Sequence, residues 1–109
     1  MPIQSDLLVQ DLGLSSEDHE LIVNNVEVII NSAASVNFDD PLMEALNINY
    51  FGTQRMLKLA KQCKRLKVFT HVSTAYVNCD MKGGLIHEKI YEQDNIDFEQ
   101  VVSKIMAMS

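Results

Sequence analysis

Two short apolar runs rich in β-branched residues stand out from the polar text around them, residues 26–30 (Val-Glu-Val-Ile-Ile) and 67–72 (Lys-Val-Phe-Thr-His-Val). Both fit strands of a parallel sheet, where helices cover each face and simple alternation disappears. Between them Leu42, Ala45, Asn49, Gly52, Met56, Leu59 and Cys63 recur at steps of three and four, which places them on one face of a helix over residues 41–63. Asp39-Asp40-Pro41 is a strong start for that helix, with a carboxylate at the cap and proline at the first helical position. Asn49 interrupts the stripe and needs partners there, and Gly52 on the same face implies close approach by another backbone.

The flanking text follows the same alternation. Residues 2–5 read as a strand-like fragment, and Ser15 with Asp18 resembles a capping box for a helix over 16–24 whose Leu21 and Ile22 face inward. Residues 85–91 read as a short extended segment, and Val101, Val102, Ile105 and Met108 line a helix over 98–108. Strand, helix, strand, long helix, strand, loop, helix is the order of parallel strands joined by right-handed crossovers, so the expected class is α/β, part of a doubly wound sheet.

What ends each strand bears on function. In open α/β sheets ligands bind beyond the carboxyl ends of the strands. After 26–30 comes Asn31-Ser32-Ala33-Ala34-Ser35, small enough for a ligand to approach the backbone, or for a helix to pack over it. After 67–72 come Ser73, Thr74 and Tyr76, which either close a turn or present hydroxyls to a bound molecule.

Composition narrows the choice. The 109 residues are 47% hydrophobic and 22% charged, ordinary for one small globular domain. A net charge of -6 and a pI near 4.8 argue against nucleic acid or an anionic membrane as the main partner. Lys58, Lys61, Lys64, Arg65 and Lys67 form a local basic patch that suits the carboxyl end of a helix. Cys63 and Cys79 lack a Cys-x-x-Cys spacing, and the even spacing of His71, Cys79 and His87 matches no zinc pattern, so neither a disulfide framework nor a metal is expected. No run approaches the length of a membrane span and no signal-peptide pattern opens the chain, which reads as soluble.

Several strings in this order carry a resemblance. They are Pro-Ile-x-x-Asp from Pro2, Asp-Leu-Gly-Leu-Ser from Asp11, Ile-Ile-Asn-Ser-Ala-Ala-Ser-Val-Asn-Phe-Asp from Ile29, Asn-Tyr-Phe-Gly-Thr from Asn49, His-Val-Ser-Thr-Ala-Tyr-Val-Asn from His71 and Glu-Lys-Ile-Tyr from Glu88. Together they resemble the extended short-chain dehydrogenase/reductase superfamily, and within it the NAD(P)H-binding, male-sterility type domain of alcohol-forming fatty acyl-CoA reductases. The resemblance implies a Rossmann-like fold, NADPH as hydride donor and long-chain fatty acyl-CoA as substrate. It also implies that Asp6 lies near the cofactor adenine and that Ser32, Ala33 and Ala34 approach its ribose and pyrophosphate. Asn49 takes the place of the helix asparagine that organises the site, and Thr74 with Ser73 that of the catalytic hydroxyl. Tyr76 packs near the nicotinamide. Relatives of this type face the cytosol and associate with peroxisomal or endoplasmic reticulum membranes through other segments.

The chain departs from that pattern in four places. Ser5 stands where glycine is usual and Asn31 where histidine is common. No Gly-x-x-Gly-x-x-Gly turn is present, and Tyr50, Tyr76 and Tyr91 are followed at the fourth position by Gln54, Asp80 and Asn95, so no Tyr-x-x-x-Lys pair exists. Residues 1–109 are therefore expected to be a partial reductase domain, with 26–30 and 67–72 as neighbouring strands four and five and 2–5 as the tail of strand three. Such a piece leaves an apolar strand edge unpaired, and marginal stability with no turnover of its own is expected. Alternatives are another extended reductase, such as a carboxylic-acid-reductase terminal domain, a sugar-nucleotide epimerase, or a non-catalytic binding module.

Overall fold

In the computed structural model, residues 1–74, 83–85, 87–89 and 97–108 are described. The chain divides into two units, residues 1–72 and 73–109. In the first, helix α1 (Ser16–Asn25) leads to strand β1 (Val28–Asn31). Helix α2 (Leu42–Ala45), a widened turn (Leu46–Phe51) and helix α3 (Gly52–Gln62) form one unbroken helical run, and a short turn leads on to strand β2 (Val68–His71).

The Ser15 half of the expected capping box forms, its Oγ accepting the Asp18 N–H at 3.1 Å, and α1 follows from the next residue. Of the two residues expected inward, Ile22 is half-buried but Leu21 is 41% exposed, because the packed stripe of this helix runs through Ile22 and Val23.

The strands pair in parallel, Val28 with Val68, Ile29 with Phe69, Ile30 with Thr70 and Asn31 with His71. The ladder extends one bond further, from the Val72 N–H to the Asn31 carbonyl at 2.9 Å. Both strands therefore stop at one level, which is the arrangement that brings their carboxyl-end loops together. The expected burial of both faces is not met in β1, whose residues alternate. Ile29 and Asn31 are buried at 8% and 4% exposure, whereas Val28 and Ile30 are 54% and 67% exposed. The reason is one-sided cover, since α3 packs on β1 and α1 packs on α3. Among the described residues the sheet has two strands, and residues 2–5 form no strand because no neighbouring strand is present to pair with them.

The long helix spans nearly the expected range, with two differences. Pro41 caps it instead of opening the first turn, with ψ at 142°. Asp40, expected near the cap, turns its carboxylate to the preceding loop, where Ser35 Oγ and Asn37 Nδ2 both donate to it. The stripe of apolar positions also fails to stay buried along its length: Gly52 and Leu59 are buried, but Leu42 and Asn49 are exposed. The widened turn explains this. Its closing bond runs from the Gly52 N–H to the Asn47 carbonyl, five residues back. An extra residue in one turn rotates everything before it by about 100° relative to the regular helix.

Gly52 meets the close approach expected of it: a Cβ there would lie 3.6 Å from Leu7 Cβ and 3.8 Å from the Leu7 carbonyl. The basic patch is partly neutralised, with Lys58 paired to Asp11 at 3.7 Å and Arg65 and Lys67 both paired to Glu27. In the second unit helix α4 (Phe98–Ala107) is capped by Asp97, whose Oδ1 accepts from the Glu99 and Gln100 N–H groups. The expected extended segment at 85–91 lies partly outside the described residues, and its residues 88 and 89 form a bend.

Candidate functional site

Asn31 closes β1 with its side chain directed under α3, and it is the one buried polar residue among those described. Its Nδ2 donates to Thr53 Oγ1 at 3.5 Å and to His71 Nδ1, its register partner, at 3.3 Å. Thr53 Oγ1 in turn donates to the Asn49 carbonyl at 2.8 Å. The Asn49 side chain points the other way, to the loop beyond β1, where its Oδ1 accepts the Ser35 N–H at 3.0 Å.

The widened turn that carries Asn49 is held on its other side by Arg55. One guanidinium nitrogen donates to the Leu7 carbonyl at 2.6 Å and reaches the Asn47 carbonyl at 3.5 Å, and the other donates to Asn47 Oδ1 at 3.1 Å. A single cation thus ties the turn to the loop that follows Asp6.

That loop is tightly wound. The Asp6 N–H donates to the Leu12 carbonyl at 2.8 Å, and Asp6 Oδ1 accepts the Leu8 N–H at 2.9 Å. The turn Gln10–Gly13 closes it with Asp11, Leu12 and Gly13 all at positive φ, 58°, 60° and 61°. Left-handed backbone costs about 1–2 kcal/mol for a residue with a Cβ. Burial of the Leu12 side chain, which is 4% exposed, offsets part of that. Gln4, Ser5, Asp6, Gly13, Ser15 and Asp18 line an open cleft of about 460 Å³. A second hollow of about 100 Å³, among His19, Arg55, Lys58 and Gln62, contains none of the candidate residues.

The structure therefore brings together Asn49 and the loop that begins with Ser32, Ala33 and Ala34, all three exposed at the strand end. Asp6 is joined to the same helix through Leu7. Ser73 and Thr74 follow directly on β2 in the chain and open the second unit. Tyr76 and Cys79 lie outside the described residues. Asn49 was expected buried on a stripe, and instead it is exposed with its amide bound to a backbone N–H across the loop. Sequence reasoning missed Asn31, Thr53 and Arg55 as supports of the site. Asn31 stood out only as a substitute for histidine, and the four-residue step from Asn49 to Thr53 was the one available signal for the hydroxyl. Among the described residues no group of three histidines, cysteines or acids could hold a metal, and no helix is long and apolar enough to cross a membrane. Cys63 is a free thiol half-buried behind α3, and burial pushes its pKa up.

Parallel strands ending level, with a helix packed on one face and small exposed residues at the first strand end, are the arrangement of an α/β, Rossmann-like unit, in which ligands bind beyond the strand ends. The chain belongs to the male sterility protein family, an NAD-binding family whose model matches residues 1–108. It is 42% identical over 89 residues to fatty acyl-CoA reductase wat of Drosophila melanogaster, a match covering 82% of this chain and 17% of that protein. The fatty acyl-CoA reductase 1 of Homo sapiens is likewise 42% identical over 89 residues, with the same coverage of both chains. The probable fatty acyl-CoA reductase 4 of Arabidopsis thaliana is 39% identical over 92 residues, 84% of this chain and 18% of that one. The chain thus matches less than a fifth of the length of these curated relatives.

Proposed function

We propose that these 109 residues are the central part of an alcohol-forming fatty acyl-CoA reductase domain that uses NADPH. The observation that carries the reading is the level ending of β1 and β2 in register, Asn31 beside His71, with Asn49 bound to the loop between. Ser32, Ala33 and Ala34 are exposed and small, which fits close approach of a ribose and pyrophosphate. The cleft beside Asp6 falls within the range of small-molecule sites, roughly 300–1,000 Å³, and its carboxylates suit the amino group of an adenine. The glycine-rich cradle for the pyrophosphate and the Tyr-x-x-x-Lys pair are not among these residues, and the rest of a longer polypeptide would supply them.

A bound nicotinamide would supply the hydride chemistry: two hydrides and two protons per acyl-CoA balance reduction of the thioester to aldehyde and CoA thiol, and of the aldehyde to the primary alcohol. The Thr74 hydroxyl, with Ser73 beside it, donates a hydrogen bond to the substrate carbonyl oxygen as negative charge builds there. Asn49 holds the loop of Ser32–Ser35 against the helix, so the cofactor side of the crevice keeps its shape. Cytosolic exposure and membrane attachment through other segments belong to the same proposal.

The test is acyl-CoA-dependent oxidation of NADPH, compared with NADH, by the whole polypeptide containing this segment, followed by product analysis for a fatty alcohol. Turnover retained in both Thr74→Ala and Asn49→Ala would overturn the site assignment. A whole polypeptide that binds nucleotide without turnover would instead be a non-catalytic binding module.

A further inference from the structure

We propose that Asn31 and Thr53 are positioning residues that set the orientation of Asn49, acting as one hydrogen-bonded chain from β2 through β1 to the widened turn. Its effect on turnover rests on the reductase reading above; its effect on geometry does not. Asn31 is 4% exposed, in a place where an aliphatic side chain would fill the space without needing polar partners. Its amide nevertheless finds two, Thr53 Oγ1 on α3 and His71 Nδ1 on β2.

The direction of the chain follows from proton counting. A threonine hydroxyl has one proton to give. Thr53 Oγ1 accepts the Asn31 N–H on a lone pair and gives its own proton to the Asn49 carbonyl, at 2.8 Å the shortest of the linked contacts. Closing bonds in this stretch run five residues back, as from the Gly52 N–H to the Asn47 carbonyl, so the turn depends on side chains to fix it. Arg55 fixes Asn47 and Thr53 fixes Asn49. With its backbone held, the Asn49 side chain meets the Ser35 N–H at 3.0 Å.

A leucine at position 31 would remove the donor to the Thr53 hydroxyl and leave that hydroxyl held by the Asn49 carbonyl alone. A valine at 53, of the same shape, would remove the donor to Asn49 and the acceptor for Asn31 together. His71, the far end of the chain, sits at the strand edge with an exposed ring, so solvent can replace its part.

The test uses amide hydrogen exchange and steady-state kinetics on the whole polypeptide containing this segment. Thr53→Val and Asn31→Leu are expected to speed exchange of the Ser35 amide about tenfold, the effect of losing one charge-neutral hydrogen bond at the upper end of its range. They should also lower kcat with KM and cofactor Kd within about twofold, since an interaction that only orients the site is felt in the transition state. Thr53→Ser, which keeps the hydroxyl, should restore both. Exchange at Ile29 and Thr70, whose amides face each other's strand, should stay unchanged, which a general loosening of the fold would not allow. Asn49→Ala is the reference for full loss of the Ser35 bond. The proposal is overturned if Ser35 keeps its protection in both variants while Asn49→Ala loses it, or if Ser35, Ile29 and Thr70 quicken together. A wild-type protein that shows the exchange pattern but no acyl-CoA-dependent oxidation of cofactor would sink the reductase reading and leave the positioning chain standing.

Discussion

The backbone N–H of Ser35 donates to Oδ1 of Asn49 at 3.0 Å, fastening the loop beyond β1 to the middle of the long helix. This contact joins residues fourteen apart in the chain, one in the loop after β1 and one in the widened turn of the helix. Removing the amide frees the loop on that side. Asn49→Ala in the whole polypeptide is expected to lower kcat/KM by about tenfold to a hundredfold, because small displacements of a positioned group cost that much. Steady-state kinetics with a long-chain acyl-CoA measure it.

A hydroxyl that stabilises developing charge should cost more when removed than one that only positions. Thr74→Ala is expected to reduce kcat about a hundredfold to a thousandfold, comparable with deletion of one oxyanion donor. Cofactor affinity, read by titration of nucleotide fluorescence, should change little. A larger loss in Ser73→Ala than in Thr74→Ala would exchange the two roles.

The two faces of β1 give unequal predictions for neighbouring isoleucines. Ile29, buried against α3, should cost about 2–4 kcal/mol when replaced by alanine. Ile30, 67% exposed, should change the stability of the 109-residue chain by about 0.5 kcal/mol or less as Ile30→Ala. In a longer polypeptide whose further elements cover that face, Ile30→Ala should approach the cost of Ile29→Ala. Urea midpoints of both chains with both variants decide it.

Backbone conformation makes Gly13 the sensitive residue of its turn. At φ 61°, with nothing nearer to an added Cβ than Asp6 at 3.9 Å, Gly13→Ala meets a conformational penalty and no clash. The expected loss is about 1–2 kcal/mol. Asp11→Gly, at φ 58°, should recover a comparable amount if the Lys58 pair contributes as little as exposed pairs do. Denaturant midpoints of the two variants should therefore move in opposite directions.

Burial holds the Cys63 thiol protonated above the pH at which a free thiol ionises. The folded state then binds that proton more tightly than the unfolded state, so the contribution to stability is complete below the ordinary thiol range. It is lost as pH rises through the elevated folded value. Between pH 7 and a pH above that value the wild-type protein should lose more stability than Cys63→Ala, and its reaction with iodoacetamide near pH 8 should be slower than that of an unfolded control.

Much of this fold could be read from local text. The Ser15 cap, the span of α1, the strands near 26–30 (ending one residue later, at Asn31) and within 67–72, and the long helix after Pro41 all follow from signals that act over a few residues, where backbone propensity and capping chemistry dominate. So did the family strings, whose order alone pointed to the male sterility family. Periodicity failed at residues 46–51, because a widened turn adds a residue without leaving a mark in the hydrophobic pattern.

What the chain determined by itself, then, was its parallel α/β order, its family and the residues that ought to gather at the strand ends. Tertiary structure alone decided that Asn49 faces Ser35 instead of the core, that Asn31 reaches Thr53 and His71, and that Arg55 ties Leu7 to Asn47. Each of those bonds joins residues that chain spacing does not place side by side or that meet only in the altered turn. Polar side chains choose partners by where the packed backbone has left a donor or acceptor without one, and that choice exists only once β1, β2 and α3 have come together.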